Sequence, residues 1–469
     1  MTAHADIGLI GLGVMGRNLV LNMDDHGYTV SVFNRTVARV DEFLAEGAAG
    51  TKVIGTHDLE GLVDSLQRPR RVMLMVRAGT PVDAQIEAIR PLLETGDIII
   101  DGGNSNYRDT MRRTRELQRV GIRFVGMGIS GGEEGARFGP SIMPGGNADA
   151  WPAIEDLFRD IAATADGEPM CEWVGPDGAG HYVKMVHNGI EYGDMEVIAE
   201  AYDLMGRGLG MGAPEMQPVF ADWNEGTLDS YLIDITTSIL GARDSDGEPL
   251  VDKILDVAGQ KGTGRWTVVS SMDEAMPVSL IAEAVYSRMV SALHAERTAA
   301  SAVLDGPSSA IPHDREQVVL DLHDALYASK IVSYAQGFML LRAASIENDW
   351  DLDLGTIASL WRAGCIIRSR FLADITAAYR DDPDLVNLLL APYFSSEIGT
   401  AQAGWRRTVA RAAEAGIPTP AYGAALSFYD AYRSARLPAN LIQAQRDFFG
   451  AHTYERVDRE RGEFFHTEW

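Results

Sequence analysis

Four polar residues capable of acid–base chemistry lie close together in the segment KMVHNGIEY, residues 184–192. A lysine, a histidine, an amide and a carboxylate fall on one side of a helix, at Lys184, His187, Asn188 and Glu191. The other side carries apolar residues and glycines at positions 186, 189, 190, 193 and 197, a pattern with which helices pack against a core. The polar side could move protons and hold hydroxyl groups. Taken alone, this polar side also fits a solvent-exposed face with an ordinary lysine–glutamate pair. Features elsewhere in the chain are needed to choose between the two interpretations.

A glycine-rich turn near the start of the chain is typical of a dinucleotide site. The motif G-x-G-x-x-G runs from Gly11 to Gly16, after a strand-like run and before a helical pattern. There it allows a pyrophosphate to approach the N–H groups of a helix N-terminus. The second predicted strand ends in Asn34, Arg35 and Thr36, where an NAD site usually has an acid. Because these residues would bind a 2′-phosphate that an acid would repel, the sequence favours NADP. For Arg35, a solvent-exposed turn arginine or one stacked on adenine is the alternative.

Other segments could bind an anionic, hydroxylated substrate. Residues 101–105 (DGGNS) and 126–132 (GMGISGG) each follow a predicted strand, and strand ends in an open α/β sheet face the cofactor crevice. We expect both to be turns that present N–H groups, an amide or a hydroxyl to a carboxylate. The glycine-rich loop KGTG presents Lys261, and further basic residues follow at Arg288, Arg446 and His452. Each of these, taken singly, is more often a surface charge.

The elements that must position these residues change character along the chain. Up to residue 178, predicted strands and helices alternate, and apolar runs such as residues 71–76 and 97–101 indicate strands buried on both faces. This pattern predicts a Rossmann-type, doubly wound parallel sheet. The sequence after residue 178 has an almost entirely helical pattern. We therefore predict a nucleotide-binding domain at residues 1–178, an all-helical domain at 179–437 and a C-terminal tail at 438–469.

Composition excludes several classes of partner. The 469 residues carry a net charge of −26, which repels nucleic acid and anionic membranes. The two cysteines, Cys171 and Cys365, cannot build a disulfide framework or a thiolate metal site, and no apolar run approaches the ~20 residues of a membrane span. No cluster of residues suggests a metal. The first predicted strand begins at residue 7, which leaves little room for a signal peptide. We expect a cytoplasmic protein.

At these motifs the chain closely resembles the 6-phosphogluconate dehydrogenase family over essentially its whole length. The motifs that carry the resemblance are the glycine turn with Asn34–Arg35–Thr36, DGGNS at 101–105, SGGEEGAR at 130–137, KMVHNGIEY at 184–192, QKGTGRW at 260–266 and LPANLIQAQR at 437–446. The wider class of β-hydroxyacid dehydrogenases shares the nucleotide turn, Ser-Gly-Gly and the Lys184–Asn188 pair, but is not expected to have the last two motifs.

The resemblance implies oxidative decarboxylation of 6-phosphogluconate to ribulose 5-phosphate and carbon dioxide, with reduction of NADP in the pentose phosphate pathway. It makes Lys184 the general base and Glu191 the general acid, and implies no metal. The cofactor residues it implies are Gly11, Leu12, Gly13, Val14, Met15, Gly16, Asn34, Arg35, Thr36, Val76, Arg77, Ala78 and Asn104. The substrate residues it implies are Asn104, Ser130, Gly131, Gly132, His187, Asn188, Tyr192, Lys261, Arg288, Arg446 and His452. Arg446 and His452 are expected to come from the partner subunit of a homodimer.

Two alternative functions remain open from the residues alone. One is an NADP-dependent dehydrogenase of another, unphosphorylated 3-hydroxy acid, which would have no use for the basic cluster of Lys261, Arg288 and Arg446. The other is a catalytically silent, NADP-sensing protein on the same fold. Such a protein would not need Lys184 and Glu191 together, and both are present.

Overall fold

The computed structural model describes residues 4–469. The ten strands are β1 (Ile7–Ile10), β2 (Val30–Phe33), β3 (Ile54–Gly55), β4 (Arg71–Leu74), β5 (Ile98–Asp101), β6 (Arg123–Ser130), β7 (Ser141–Gly146), β8 (Thr164–Ala165), β9 (Glu168–Pro169) and β10 (Gly175–Pro176). The helices that alternate with them are α1 (Val14–Asp25), α2 (Ala38–Ala45), α3 (Leu59–Asp64), α4 (Thr80–Ile89), α5 (Tyr107–Gln118), α6 (Gly132–Phe138) and α7 (Glu155–Ile161).

Eight strands form one sheet in the order β10-β7-β6-β5-β4-β1-β2-β3. Strands β1 to β6 pair in parallel, and β1 lies between β2 and β4. Successive residues of β1 and β5 enter two separate apolar clusters: Leu9 and Ile100 pack into one, Ile10 and Ile99 into the other. Because alternate side chains of a strand point to opposite faces, the sheet is covered on both sides. The prediction of a Rossmann-type sheet followed by a large helical part is confirmed.

The far edge of the sheet differs from the fully parallel prediction. Strand β7 runs antiparallel to β6, and β10 pairs with β7. Residues 131–140 connect β6 to β7 and contain the seven-residue helix α6. A parallel crossover needs a dozen or more residues, so this short connection returns the chain antiparallel.

The remaining chain is helical. Its helices are α8 (Ala179–Asp203), α9 (Ala213–Asn224), α10 (Tyr231–Gly241), α11 (Thr263–Asp273), α12 (Ser279–Ala292), α13 (His294–Ser301), α14 (Arg315–Glu347), α15 (Leu354–Leu360), α16 (Leu372–Asp381), α17 (Pro392–Glu414), α18 (Pro420–Tyr432) and α19 (Ala439–Gly450). Helices α8 and α14 cross at the centre of the largest apolar cluster. Among residues 4–469, no helix combines the length and hydropathy needed to cross a membrane.

Candidate active site

Helix α8 lies directly on strand β6, and glycines make this approach possible. A Cβ atom on Gly128 would lie 2.5 Å from the Cβ of Lys184, and one on Gly180 would collide with the carbonyl oxygen of Gly126. Residues 126–130 are therefore part of β6, and their prediction as a turn was wrong. The turn begins at Gly131, whose φ of +135° suits glycine. The close approach places Lys184 against the carboxyl end of the central sheet.

The polar residues of α8 form one connected group with Ser130. The Nζ of Lys184 lies 3.2 Å from Nδ1 of His187, and the Nε2 of His187 lies 3.1 Å from Oγ of Ser130. Asn188 approaches the same imidazole through its Oδ1, at 3.1 Å from Nδ1, and donates from Nδ2 to Oγ1 of Thr263. These contacts fix the imidazole between Lys184 and the end of β6.

Cys365 is a member of this group that the sequence did not reveal. Its Sγ lies 2.8 Å from Nε2 of His187, and the N–H of the next residue, Ile366, lies 3.5 Å from Oγ of Ser130. Burial raises the pKa of the Cys365 thiol to about 12, so it stays protonated near neutral pH. It is 178 positions from His187 along the chain, and no local motif marks it.

Glu191 lies at the more open end of the group. Its side chain is 23% exposed, against 0% for His187, and its Oε2 is 3.9 Å from Nδ1 of that imidazole. Lys184 is 5% exposed. The amine and the carboxyl group thus lie on the same side of α8, with Lys184 buried and Glu191 partly open to solvent.

Burial changes the pKa values of this group in the directions that proton transfer needs. It lowers the pKa of Lys184, against the attraction of the Glu191 carboxylate, which favours the ammonium form. Burial also raises the pKa of Glu191, against Lys184 and Arg288. The pKa of His187 falls well below its usual value because of burial and the nearby Lys184. Burial therefore shifts the Lys184 amine, the Glu191 carboxyl group and the His187 imidazole toward their uncharged forms.

The opposite side of α8 packs as predicted, but the helix is buried on nearly all sides. A Cβ on Gly189 would press on Thr267 of α11, and one on Gly193 would lie 2.5 Å from Oγ of Ser333 in α14. On α14, Gly337 has the same close contact with Ile190. Since the polar side of α8 faces β6 and Cys365, it is not the solvent-exposed face that the sequence left open.

A second polar region lies further along α8, at Tyr192. The guanidinium of Arg288 stacks 3.5 Å from the centroid of the Tyr192 ring and donates to the carbonyl of Gly259. Lys261, two residues after Gly259 in the same loop, is exposed. Gly264, further along, packs against the Tyr192 ring. The structure thus brings Arg288 onto Tyr192 and ties it to the loop that carries Lys261.

The glycine turn borders a cavity of about 560 Å³. Gly11 has φ +111°, where a Cβ would strike the carbonyl of Met75, and a Cβ on Gly13 would meet nothing within 4 Å. The second glycine therefore leaves the backbone open to a diphosphate at the start of α1. Residues that line the cavity include Gly11, Gly13, Asn34, Arg35, Thr36, Val76 and Arg77. Arg39, at the start of α2, also lines it, and sequence reasoning missed this residue.

The predicted binding residue Asn34 and the buried Asp101 each hold a loop in shape. Asn34 accepts from the N–H of Leu12 and donates to the carbonyl of Thr36, which ties the end of β2 to the glycine turn. In the DGGNS loop, the buried Asp101 accepts from Oγ of Ser105 and from the N–H of Gly103. That arrangement leaves Asn104 exposed at the carboxyl edge of the sheet.

The remaining two predicted site residues lie on the C-terminal tail. Arg446 of α19 donates to Oε1 of Gln443, and the ring of His452 packs edge-on against Phe449. Both are exposed, and these contacts are within the tail itself. Within residues 4–469, no group of three or more His, Cys, Asp or Glu side chains is arranged to hold a metal ion.

Comparison with known proteins gives two family matches that together span nearly the whole chain. Residues 6–175 match the NAD binding domain of 6-phosphogluconate dehydrogenase, and residues 180–469 match the C-terminal domain of the same enzyme. The second match includes the Lys261 loop and the tail.

Individual relatives agree over their full length. The chain is 60% identical to "6-phosphogluconate dehydrogenase, decarboxylating 2" of Saccharomyces cerevisiae, covering 96% of this chain and 92% of the yeast protein. It is 58% identical to "6-phosphogluconate dehydrogenase, decarboxylating" of Ovis aries, covering 100% and 97%. A solved Plasmodium falciparum 6-phosphogluconate dehydrogenase, described in its apo form and with its cofactor NADP+ or its substrate 6-phosphogluconate, superposes with a TM-score of 0.95. It is 42% identical over 99% of this chain and 100% of that one.

Proposed function

The chain belongs to the 6-phosphogluconate dehydrogenase family, and from this premise we propose how its own residues carry out the reaction. The protein catalyses oxidative decarboxylation of 6-phosphogluconate to ribulose 5-phosphate and carbon dioxide, with NADP as the oxidant. The observation that carries the proposal is the pair of Lys184 and Glu191 on one side of α8, where burial shifts the pKa of each group in the direction that favours its uncharged form.

In the oxidation step, the neutral amine of Lys184 accepts the proton of the substrate 3-hydroxyl. NADP, when bound, accepts the hydride that leaves carbon 3. Burial shifts Lys184 toward the uncharged form, which is the form that can receive this proton. His187 and Asn188, fixed by their bonds to Ser130 and Thr263, hold the neighbouring hydroxyl groups.

Decarboxylation follows at the 3-keto acid. The bond between carbon 1 and carbon 2 breaks as carbon dioxide departs, and its electron pair forms the double bond between carbons 2 and 3. The carbonyl oxygen at carbon 3 receives the electron pair of its own double bond and the proton returned by the Lys184 ammonium. The product of this step is an enediol. Burial shifts Glu191 toward the protonated form, which then delivers a proton to the terminal carbon of the enediol. The neutral Lys184 amine takes back the proton of the hydroxyl at carbon 3, and the ketose forms. The more open position of Glu191 lets it regain its proton from solvent.

The residues at the end of β6 and in the DGGNS loop suit the substrate carboxylate and its neighbouring hydroxyl groups. We assign these to Asn104, Ser130, Gly131 and Gly132. The phosphate is assigned to Tyr192, Lys261 and Arg288, since the guanidinium is already stacked on the tyrosine ring. With a net charge of −26, the protein repels an anionic substrate at long range, so this local cluster must supply the attraction.

We assign Arg446 and His452 to the phosphate site of a partner subunit in a homodimer. Supporting this, α19 buries one residue, Asp447, and exposes Leu441, Ile442, Phe448 and Phe449. Contiguous exposed apolar surface of this kind is typical of protein–protein contact. A second copy of the chain would cover it.

The cavity beside the glycine turn fits NADP. Gly13 leaves room for the diphosphate, and Val76, Arg77 and Ala78 follow β4 along the same edge. Arg35 and Thr36 after β2, with Arg39 at the start of α2, would surround a 2′-phosphate with positive charge and a hydroxyl donor. We further propose a cytoplasmic location, since reducing conditions suit the two buried free thiols, Cys171 and Cys365.

The function is tested by mixing purified protein with 6-phosphogluconate and either NADP or NAD, and recording absorbance of the reduced nicotinamide together with released carbon dioxide. We expect one carbon dioxide for each NADPH, and a much higher kcat/KM with NADP than with NAD. Arg35→Asp, run in parallel, should move the preference toward NAD because an acid repels the 2′-phosphate.

Reduced nicotinamide without carbon dioxide would contradict the decarboxylation half of the proposal. Faster turnover of unphosphorylated gluconate than of 6-phosphogluconate would contradict the phosphate site. If Arg35→Asp still prefers NADP as strongly as the unchanged protein, residues other than Arg35 select the cofactor.

A further inference from the structure

The C-terminal tail folds back onto α19 around one buried carboxylate, that of Asp447. Its Oδ1 accepts from the N–H of Thr453 at 2.9 Å and lies 2.9 Å from Nδ1 of His466. Its Oδ2 accepts from the N–H of Thr467 and from Nε1 of Trp469, each at 3.0 Å. One side chain therefore holds the turn after the helix and the last four residues of the chain together.

Thr453 is held from two sides. While Asp447 accepts from its N–H, Gln443 donates from Nε2 to its carbonyl oxygen at 2.6 Å. Gln443 and Asp447 are four residues apart and so share a face of α19. Thr453 has φ +60°, a left-handed conformation that costs energy for a β-branched residue. The two side chains stabilise this turn, and we call Gln443, Asp447 and Thr453 the tail clamp.

The tail clamp surrounds the two predicted phosphate-binding residues of the tail. Arg446 immediately precedes Asp447 and donates to Oε1 of Gln443 at 3.0 Å. His452 immediately precedes Thr453, and its imidazole lies over Gly450, where a Cβ would come within 2.7 Å of Nε2. The clamp thus fixes the backbone beside His452 and one contact of the Arg446 guanidinium.

We propose that Gln443 and Asp447 are positioning residues that preset Arg446 and His452 for the substrate phosphate, before the tail meets a partner subunit. This inference rests on the proposed function, which gives Arg446 and His452 their role. Preorganisation would reduce the entropy lost on binding, because the imidazole and guanidinium need not be ordered by the substrate. The residues that touch substrate are Arg446 and His452, and the clamp acts through them.

The charge of Asp447 supports this arrangement. Although burial would raise the pKa of this carboxyl group, hydrogen bonds from His466, Thr467 and Trp469 lower it to about 2. The group is therefore ionised throughout the neutral range, and its four hydrogen bonds are charge-assisted.

The main test compares Asp447→Ala and Asp447→Asn with the unchanged full-length protein. We expect Asp447→Ala to raise the KM for 6-phosphogluconate about tenfold or more, with kcat and the KM for NADP changed less than about threefold. Asp447→Asn keeps an acceptor for Thr453 and should lie between the two. Asp458→Asn is the matched control, since it neutralises an exposed tail acid that pairs with Arg456 and should leave both KM values unchanged.

A second variant moves His452 without touching the clamp. Gly450→Ala adds a methyl group at the last position of α19, where alanine is tolerated by the helix but meets the imidazole. It should raise the KM for 6-phosphogluconate and leave the melting temperature unchanged. In the double variant Asp447→Ala/His452→Ala, the KM should hardly exceed that of His452→Ala alone, because the two residues act as one unit.

The outcomes distinguish the proposed role of the tail in phosphate binding from the positioning role of the tail clamp. If Arg446→Ala and His452→Ala leave the KM for 6-phosphogluconate unchanged, the proposed role of the tail is wrong. If they raise it while Asp447→Ala does not, or if the effects of Asp447→Ala and His452→Ala simply multiply, the positioning role is wrong. Should Asp447→Ala fail to fold, Gly450→Ala decides: an unchanged KM overturns the inference that His452 must be preset.

Discussion

Replacing Lys184 by methionine should lower kcat by roughly 10²- to 10⁴-fold, the contribution of a well-placed general base. Methionine fills a similar volume and keeps the Cβ contact with Gly128. His187 loses one neighbour at Nδ1 but keeps Asn188, so no buried group loses its last partner. Because the variant also removes an amine that burial disfavours as a cation, the free energy of unfolding should not fall. The measurements are kcat under saturating substrates and a fluorescence titration with NADPH.

Binding of NADPH by Lys184→Met should match the unchanged protein, because the dinucleotide cavity is lined by other residues. Lys52→Met, at an exposed lysine of the nucleotide-binding part, is the matched control and should keep full activity. If Lys184→Met retained more than about a tenth of kcat, the lysine would not be the base.

Deleting residues 440–469 should reduce kcat/KM for 6-phosphogluconate by on the order of a hundredfold or more, since two cationic contacts to phosphate are lost. It also removes the exposed apolar side chains of α19, so the protein should dissociate toward monomer. Steady-state kinetics and analytical ultracentrifugation measure the two effects.

The double variant Arg446→Ala/His452→Ala separates charge from assembly. It keeps the apolar surface, so the dimer should persist while the KM for 6-phosphogluconate rises. A truncated protein that is monomeric and fully active would show that no partner subunit completes the site.

Local sequence patterns were sufficient for prediction where a single helix, strand or turn contained the complete pattern. The glycine turn after β1 and the apolar runs of β4 and β5 predicted the nucleotide-binding sheet, because strands buried on both faces must be apolar throughout. The spacing within residues 184–192 likewise identified the polar side of α8. The substrate was predictable as well, because a family resemblance covered the same motifs.

The sequence-based predictions that failed concern residues whose structure depends on contacts between distant segments. Gly126 and Gly128 suggested a turn, whereas they are strand residues whose missing side chains admit α8. Cys365 was missed for the same reason, because it reaches His187 only through the fold. The antiparallel β7 escaped prediction because periodicity does not report strand direction. In each case the deciding neighbour is remote in sequence.

The central claim is that Lys184 acts as a neutral base and Glu191 as a protonated acid in one coupled site. The pH dependence of kcat/KM for 6-phosphogluconate tests it most directly, with Glu191→Gln as the comparison. The neutral amine appears as pH rises through the lowered pKa of Lys184, and the protonated carboxyl group disappears as pH rises through the raised pKa of Glu191. The account predicts a bell-shaped profile whose high-pH decline is lost in Glu191→Gln. A flat profile, or the same decline in the variant, would contradict it.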